Sequence, residues 1–401
     1  MIAKRTPSPA PAGEGWGEGV PTTAIVLVAA IVASACGPLT PPQKDAGTGG
    51  GGATTGGGSA TGGGSSNGGG SATGGGSGGG STGGGTAVGG GAAAGGGTAM
   101  TWTFSSIGMT PAPTNSGSIV GLAENDAGIW AMSGSGRLYL STGGAFTEQL
   151  VLPQGQPVDF EGAPTGELFA ISTVYFSVCR SSCADAGSWT QTRITASNET
   201  MESLCVVSGS HVLAVGSAGG SNDGMYHRYD GQTFDVGSTA FAAFSPNACW
   251  RGESGDFFIP VEDAIVVYEP GSLGFTPENT PGMPSWRGGG SALGSEWVAG
   301  SGPTIARRSG TNWTNVLTRS GEGSVNVIVG VSATEAFAFG GGFSSSGQSG
   351  WRWNGTTWVE LMPDLPLMNQ AISALRTSSG TIYIGGNDQN QYPVIVRARL
   401  Q

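Results

Sequence analysis

Trp351-Arg352-Trp353-Asn354-Gly355-Thr356-Thr357-Trp358-Val359-Glu360-Leu361 is the stretch from which the fold can be worked out. Large apolar and polar residues alternate on both sides of Asn354-Gly355, and an Asn-Gly dipeptide between two alternating runs is the strongest short-range signal for a β-hairpin. The same grammar returns at Tyr229-Asp230-Gly231-Gln232-Thr233-Phe234 and at Arg308-Ser309-Gly310-Thr311-Asn312-Trp313, with a turn dipeptide shortly before an aromatic. One unit is being repeated.

Aligning the aromatic that follows each turn gives Trp102, Phe146, Trp189, Phe234, Phe275, Trp313 and Trp358, spaced 38 to 45 residues apart. A period of roughly 40 to 50 residues with several short strands per unit is the signature of β-propeller blades. Between Trp313 and Trp358 four strands can be written: Val325 to Gly330 innermost, then Glu335 to Gly340, Ser349 to Trp353, and Thr356 to Leu361 outermost. The second strand recurs from Gly128, Gly166, His211, Gly255, Ser295 and Gly380, which makes seven copies. Their near-continuous apolar character suits a sheet covered on both faces by its neighbours. After Trp358 only three strands remain, while Met100 to Ser105 resembles an outer strand that lacks its preceding three. Pairing the first strand with the last three closes a ring. The expected fold is therefore all-β, a seven-bladed propeller of four-stranded antiparallel blades over residues 100–401. A β-sandwich, or two stacked all-β domains, is the competing architecture for so many short strands.

Phe337-Ala338-Phe339-Gly340-Gly341, followed by Trp353 and Trp358, resembles the kelch pattern of an apolar strand ending in paired glycines and then two spaced aromatics. Tyr383-Ile384-Gly385-Gly386 repeats its first half. The resemblance implies a propeller of the galactose-oxidase type. Asp185-Ala186-Gly187-Ser188-Trp189 is also similar to the Asp-box of sialidase-type propellers, one residue short and unrepeated.

The N-terminal third is different. Of the 77 glycines in the 401 residues, many lie between Gly47 and Gly97 in runs such as Gly-Gly-Gly-Ser-Ala-Thr. Such a segment has no large apolar side chains to offset the entropy of ordering, so residues 37–99 are expected to be a disordered tether with a mean span of roughly 40 to 48 Å. Ahead of it, Ala24 to Ala35 is apolar but shorter than the ~20 residues a spanning helix needs, which marks a signal peptide over residues 1–36. Ala33-Ser34-Ala35 before Cys36 resembles the lipobox of bacterial lipoproteins, in which the Cys carries lipid and becomes the mature N-terminus. This resemblance implies an exported protein held to the cell envelope, at the outer membrane or cell surface, through Cys36. Cleavage near Ala35 with Cys36 left free is the alternative.

All of the net charge belongs to the C-terminal region, where 13 Arg face 24 acidic residues and Lys is absent. An acidic surface of this kind argues against nucleic acid and against anionic membranes as partners. Setting Cys36 aside leaves four cysteines, an even number that suggests disulfides in an exported chain. The preferred pairs are Cys179 with Cys183, closing a short loop, and Cys205 with Cys249, which occupy similar places in successive repeats. A metal site has only His211 and His227 to complete it, and Cys-x3-Cys has no second half.

No catalytic set can be assembled by motif, and no cofactor is implied. His211 opens a second strand, His227 lies within a third, and Glu262 with Asp263 falls in a hairpin turn. The Cys, Tyr and His set of copper-radical oxidases is not recognisable, nor is a motif that would place the Arg, acid and Tyr of a sialidase. The sequence thus favours a monomeric, non-enzymatic binding or scaffolding module for a protein or carbohydrate partner, with a sialidase-like hydrolase or other secreted enzyme as the alternative. Trp102, Trp189, Trp313 and Trp358 are assigned to packing between blades. Four residues before the second strand lie Glu124, Arg251 and Arg376. These charges mark one end of the inner strands as the candidate ligand site.

Overall fold

A computed structural model describes residues 101–401, apart from 114–116, 153–155, 196–198, 219–222, 236–245, 247, 262–263, 273, 282–284, 293, 320–322, 342–348 and 362–367. The segments expected to be a signal peptide and a tether, together with Cys36, Glu262 and Asp263, lie outside the described residues.

The chain forms a seven-bladed propeller. Its inner strands are Ile119–Asn125, Pro157–Gly162, Glu199–Ser208, Trp250–Arg251, Trp286–Ala292, Ser324–Ser332 and Gln370–Arg376. Each touches the inner strands of the blades on either side, and the last touches the first. Blades 2 to 5 are separate four-stranded antiparallel sheets, whereas blades 6 and 7 share one bridge between Gly341 and Gln370. Seven apolar clusters fill the seven gaps between blades. A sandwich would bury one core between two sheets; here every blade is buried on both faces, as the apolar second strands require.

The ring closes as the two ends of the sequence imply. Trp102–Ile107 pairs antiparallel with Pro393–Leu400 as the outer strand of blade 7, from Trp102 opposite Leu400 to Ile107 opposite Ile395. The chain then continues into Met109–Thr110, which runs parallel to Phe146–Val151 as a fifth strand on blade 1. One N-terminal segment therefore holds both blades at the seam.

The hairpin of blade 6 pairs Trp353 with Trp358, so four residues, not two, make the turn. The Asn354 carboxamide oxygen accepts from the amides of Thr356 and Thr357, and Gly355 takes φ of 94°. Asp230 does the same in blade 3, accepting from Gln232 and Thr233, with Gly231 at φ 98°. At Gly310 the turn is the tighter kind, with Ser309 opposite Asn312. Trp358 and Phe234 begin their outer strands, and Trp313 is the second residue of Asn312–Thr318. Trp102, Trp189, Trp313 and Trp358 each pack against the preceding blade. Two also donate an indole N–H to a carboxylate there, Trp102 to Glu335 and Trp313 to Glu278, both at 2.9 Å.

Six inner strands carry a β-bulge at the same place, leaving Val120, Val158, Glu202, Arg287, Asn326 and Ile372 without a partner on the second strand. The equivalent residue of blade 4, at 247, lies outside the described residues. Close to the bulge the two backbones approach tightly. A Cβ at Gly216, Gly340 or Gly386 would overlap the carbonyl oxygen of Thr200, Ser324 or Gln370, each two residues before its bulge. This is the physical basis of the glycines in the kelch-like pattern: they sit where the bulge of the inner strand leaves no room for a side chain.

Both expected disulfides are formed. Cys179 and Cys183 have Cα atoms 5.7 Å apart within blade 2. Cys205 on the inner strand of blade 3 bonds to Cys249 just before that of blade 4, again with Cα atoms 5.7 Å apart. Such bonds persist in an oxidising compartment, which fits an exported chain.

Candidate functional site

The inner strands surround an axial channel of about 720 Å³ to which all seven blades contribute. The bulged residues line it together with the strand positions that follow them. Glu124, Arg251 and Arg376 occupy equivalent positions at the ends of their inner strands, opposite Ile129, Phe257 and Ile382 on the second strands.

Glu124 is held by the neighbouring blade across the ring seam. Its two carboxylate oxygens accept from the backbone N–H of Ser378 at 2.7 Å and from its hydroxyl at 2.9 Å. Arg376 is exposed and lines the channel. Arg251 is also exposed there and makes one long contact, 3.5 Å, to the carbonyl of Val207. The structure thus places Glu124 at a structural contact and leaves the two arginines facing solvent.

It adds residues that sequence spacing had not marked. Arg287, the bulged residue of blade 5, is exposed in the channel, with Nε 3.4 Å from the Ser301 hydroxyl. Among the described residues no carboxylate lies within ion-pair distance of Arg251, Arg287 or Arg376, whereas Arg137, Arg308, Arg319 and Arg352 each have such a partner.

The opposite charge sits on blades 2 and 3. Asp159 and Glu161 stand two apart on one inner strand and so share a face. Asp159 Oδ2 accepts from the Leu204 N–H and the Ser203 hydroxyl, each at 2.8 Å, and Oδ1 from the N–H of Phe160 at 2.8 Å. Glu161 Oε2 accepts from the Val206 N–H at 2.9 Å. An inner strand has no sheet partner on its axial side, so alternate N–H groups there need another acceptor. The two carboxylates of blade 2 supply it for blade 3. Ser203 extends the link, since its hydroxyl accepts from the Cys249 N–H at 3.1 Å.

These carboxyls are enclosed by protein, yet keep part of their surface open to the channel. Burial pushes Asp159 up to about 6 despite its three donors. Glu161 is raised well above the usual carboxylate range, first by burial and then by Asp159, with the Val206 N–H and Arg251 opposing. Displaced carboxyls in a cleft are a recognised mark of functional sites.

Among the described residues the channel wall carries Arg and acid side chains but neither Tyr nor His. His227 is buried in a third strand and His211 is exposed beside Ser208 and Ser210. Asp185 caps the single turn Ala186–Ser188 that leads into Trp189, which accounts for the Asp-box-like stretch as local structure. Among the described residues no three His, Cys, Asp or Glu side chains converge as a metal would need.

No protein-family model matches the sequence, and no curated protein matches it significantly. Solved structures do share the fold. YCF48 bound to D1 peptide is 16% identical with a TM-score of 0.53, over 74% of this chain and 96% of that one. YCF48 from Cyanidioschyzon merolae is 12% identical with a TM-score of 0.54, over 74% and 98%. The extracellular domain of the putative one component system BT4673 from B. thetaiotaomicron is 12% identical, with a TM-score of 0.54, over 73% of this chain and 39% of that one. At these identities the likeness is one of fold.

Proposed function

We propose that this chain is an exported lipoprotein whose kelch-like propeller, held off a membrane by the Gly-rich tether and a lipid on Cys36, acts as a non-enzymatic binding module. The observation that carries the reading is the axial channel: a concave site of about 720 Å³ in which Arg251, Arg287 and Arg376 form no ion pair with a carboxylate among the described residues. Small-molecule sites commonly enclose ~300 to 1,000 Å³ with a few convergent polar groups. A guanidinium presents a planar fork of donors that matches carboxylates, so the ligand is expected to bear a carboxylate or a similar oxyanion, on a peptide or a sugar. That one structural neighbour is bound to a D1 peptide and another is an extracellular domain is compatible with this use of the fold.

The test of the site is a screen of carboxylate-bearing peptides and acidic oligosaccharides against the full chain. Ligands found there should bind at least about tenfold more weakly to the Arg251→Ala, Arg376→Ala double variant, since a charge-assisted hydrogen bond contributes about 1.5 to 3 kcal/mol. Both side chains are exposed, so the melting temperature should hold. Unchanged affinity in the double variant removes the channel arginines from the site. The anchor is tested separately: Cys36→Ser should move the protein from the membrane fraction to the soluble fraction, and continued tight membrane association of that variant would defeat the lipoprotein assignment.

A further inference from the structure

The charges of the channel are sorted by blade. Asp159, Glu161 and Glu202 stand on the adjacent blades 2 and 3, while Arg251, Arg287 and Arg376 stand on blades 4, 5 and 7. Glu124 of blade 1 is taken up by Ser378. Three cations and three carboxyls thus share one cavity without forming an ion pair among the described residues. Elsewhere on the same propeller arginines are paired, as in Arg137 with Glu148 and Arg308 with Glu278. Asp159 and Glu161 receive only N–H and hydroxyl donors, and exposed Glu202 projects from a bulge with no hydrogen bond to it among the described residues. Arg251 acts on Glu161 through space, opposing the rise in its pKa, but among the described residues neither sign closes an ion pair with the other, and the two signs face the same space.

We infer that the channel takes a zwitterionic ligand, a short peptide with free ends, whose ammonium group lies against the carboxyls of blades 2 and 3 and whose carboxylate lies against the arginines of blades 4, 5 and 7. This deepens the reading of the arginines as an anion site and rests on it. A ligand carrying both charges completes both halves of the wall, whereas a simple anion leaves the acidic half unpaired and is repelled by it. Opposed charges also fix direction, because reversing the peptide brings like charges together.

The experiment uses the full chain and tri-alanine in four forms: free, N-acetylated, C-amidated, and capped at both ends. Calorimetric titration should show the free peptide binding, each single cap weakening it at least about tenfold, and the double cap weakening it further. The Glu161→Gln, Glu202→Gln variant should lose the penalty for acetylation and keep that for amidation. Gln keeps an oxygen that can accept the Val206 N–H, so this variant should fold; a circular-dichroism melt of each variant confirms it. The Arg251→Ala, Arg376→Ala variant should show the reverse pattern. If the acetylated peptide binds as tightly as the free one while the amidated peptide does not, the zwitterion falls and the anion site stands. If amidation costs nothing, both fall. Absence of binding by all four forms overturns the inference for peptides outright.

Discussion

A chain lacking residues 101–107 should melt at least about 10 °C below the intact protein and associate at concentrations where the intact protein does not. Trp102–Ile107 is the outer strand of blade 7, and six of its residues are in register with Pro393–Leu400. Removing it takes away more than one ladder of hydrogen bonds. Trp102 is 9% exposed in the cluster between blades 6 and 7, where it meets Phe337 edge-on at 5.1 Å, and Phe104 meets the same ring at 6.0 Å. The loss of one buried Trp alone costs about 3 to 5 kcal/mol, and about 1.5 °C of melting temperature goes with each kcal/mol in a domain of this size, with the lost ladder and Phe104 contacts adding to it. The deletion also frees the edge of Pro393–Leu400, an unpaired apolar strand of the kind that recruits other chains. Finally it cuts the lead into Met109–Thr110, which is paired with blade 1.

Two comparisons isolate closure from damage in general. Trp102→Ala keeps the strand and should show about 3 to 5 kcal/mol of the loss by denaturant unfolding. Deleting the Gly-rich residues 47–97, which the sequence assigns to a tether, should leave the melting temperature where it was. Thermal melts and size-exclusion chromatography of the three variants decide the matter. Equal stability of the two deletions would argue that the seam does not hold the ring.

The ring could be read from the sequence because closure is written in the order of elements. An outer strand at Trp102 without its three predecessors, and three strands after Ala371 without an outer one, have no other economical arrangement. The position of Glu124, Arg251 and Arg376 was equally legible, since each lies a fixed distance from a recognisable second strand. The bulges were not, because a bulge is a backbone irregularity with no required side chain: Val120, Glu202, Arg287 and Asn326 share none. Its trace lay on the opposite strand, in Gly216, Gly340 and Gly386. Asp159 and Glu161 were missed for a related reason. Their partners, the N–H groups of Leu204 and Val206, belong to the next blade, and contacts between blades leave no local period to read. The one available signal was two acids on the same face of an otherwise apolar inner strand.

Those two carboxyls tie the stability of the propeller to pH. In the unfolded chain Asp159 titrates near its ordinary value of 3.8, whereas in the folded protein burial raises it to about 6. Glu161 moves in the same direction, by burial and by its proximity to Asp159. The folded state therefore holds protons that the unfolded state has released, and stability falls as pH rises through that interval. Below about pH 4 both states are protonated at Asp159 and nothing is lost; above about pH 6 both are ionised and the full cost of enclosing the charge is present. A tenfold change in proton affinity is about 1.4 kcal/mol, so Asp159 alone contributes on the order of 3 kcal/mol, and Glu161 adds to it with the same sign. Half-buried Glu296, raised by burial between blades 4 and 5, acts likewise. Carboxylates that gain donors at the surface, such as Asp230, work the other way. The clean measurement is thus a difference. Denaturant unfolding at pH 5 and pH 8 should show the intact protein losing stability at the higher pH, and the Asp159→Asn, Glu161→Gln variant losing about 2 to 3 kcal/mol less. Each amide keeps an oxygen to accept the N–H of Leu204 or Val206, so the variant retains the link between blades 2 and 3 without the buried charges. A pH profile that runs parallel in the two proteins would show that the carboxyls of blade 2 titrate as they do in water, and that the channel wall does not enclose them.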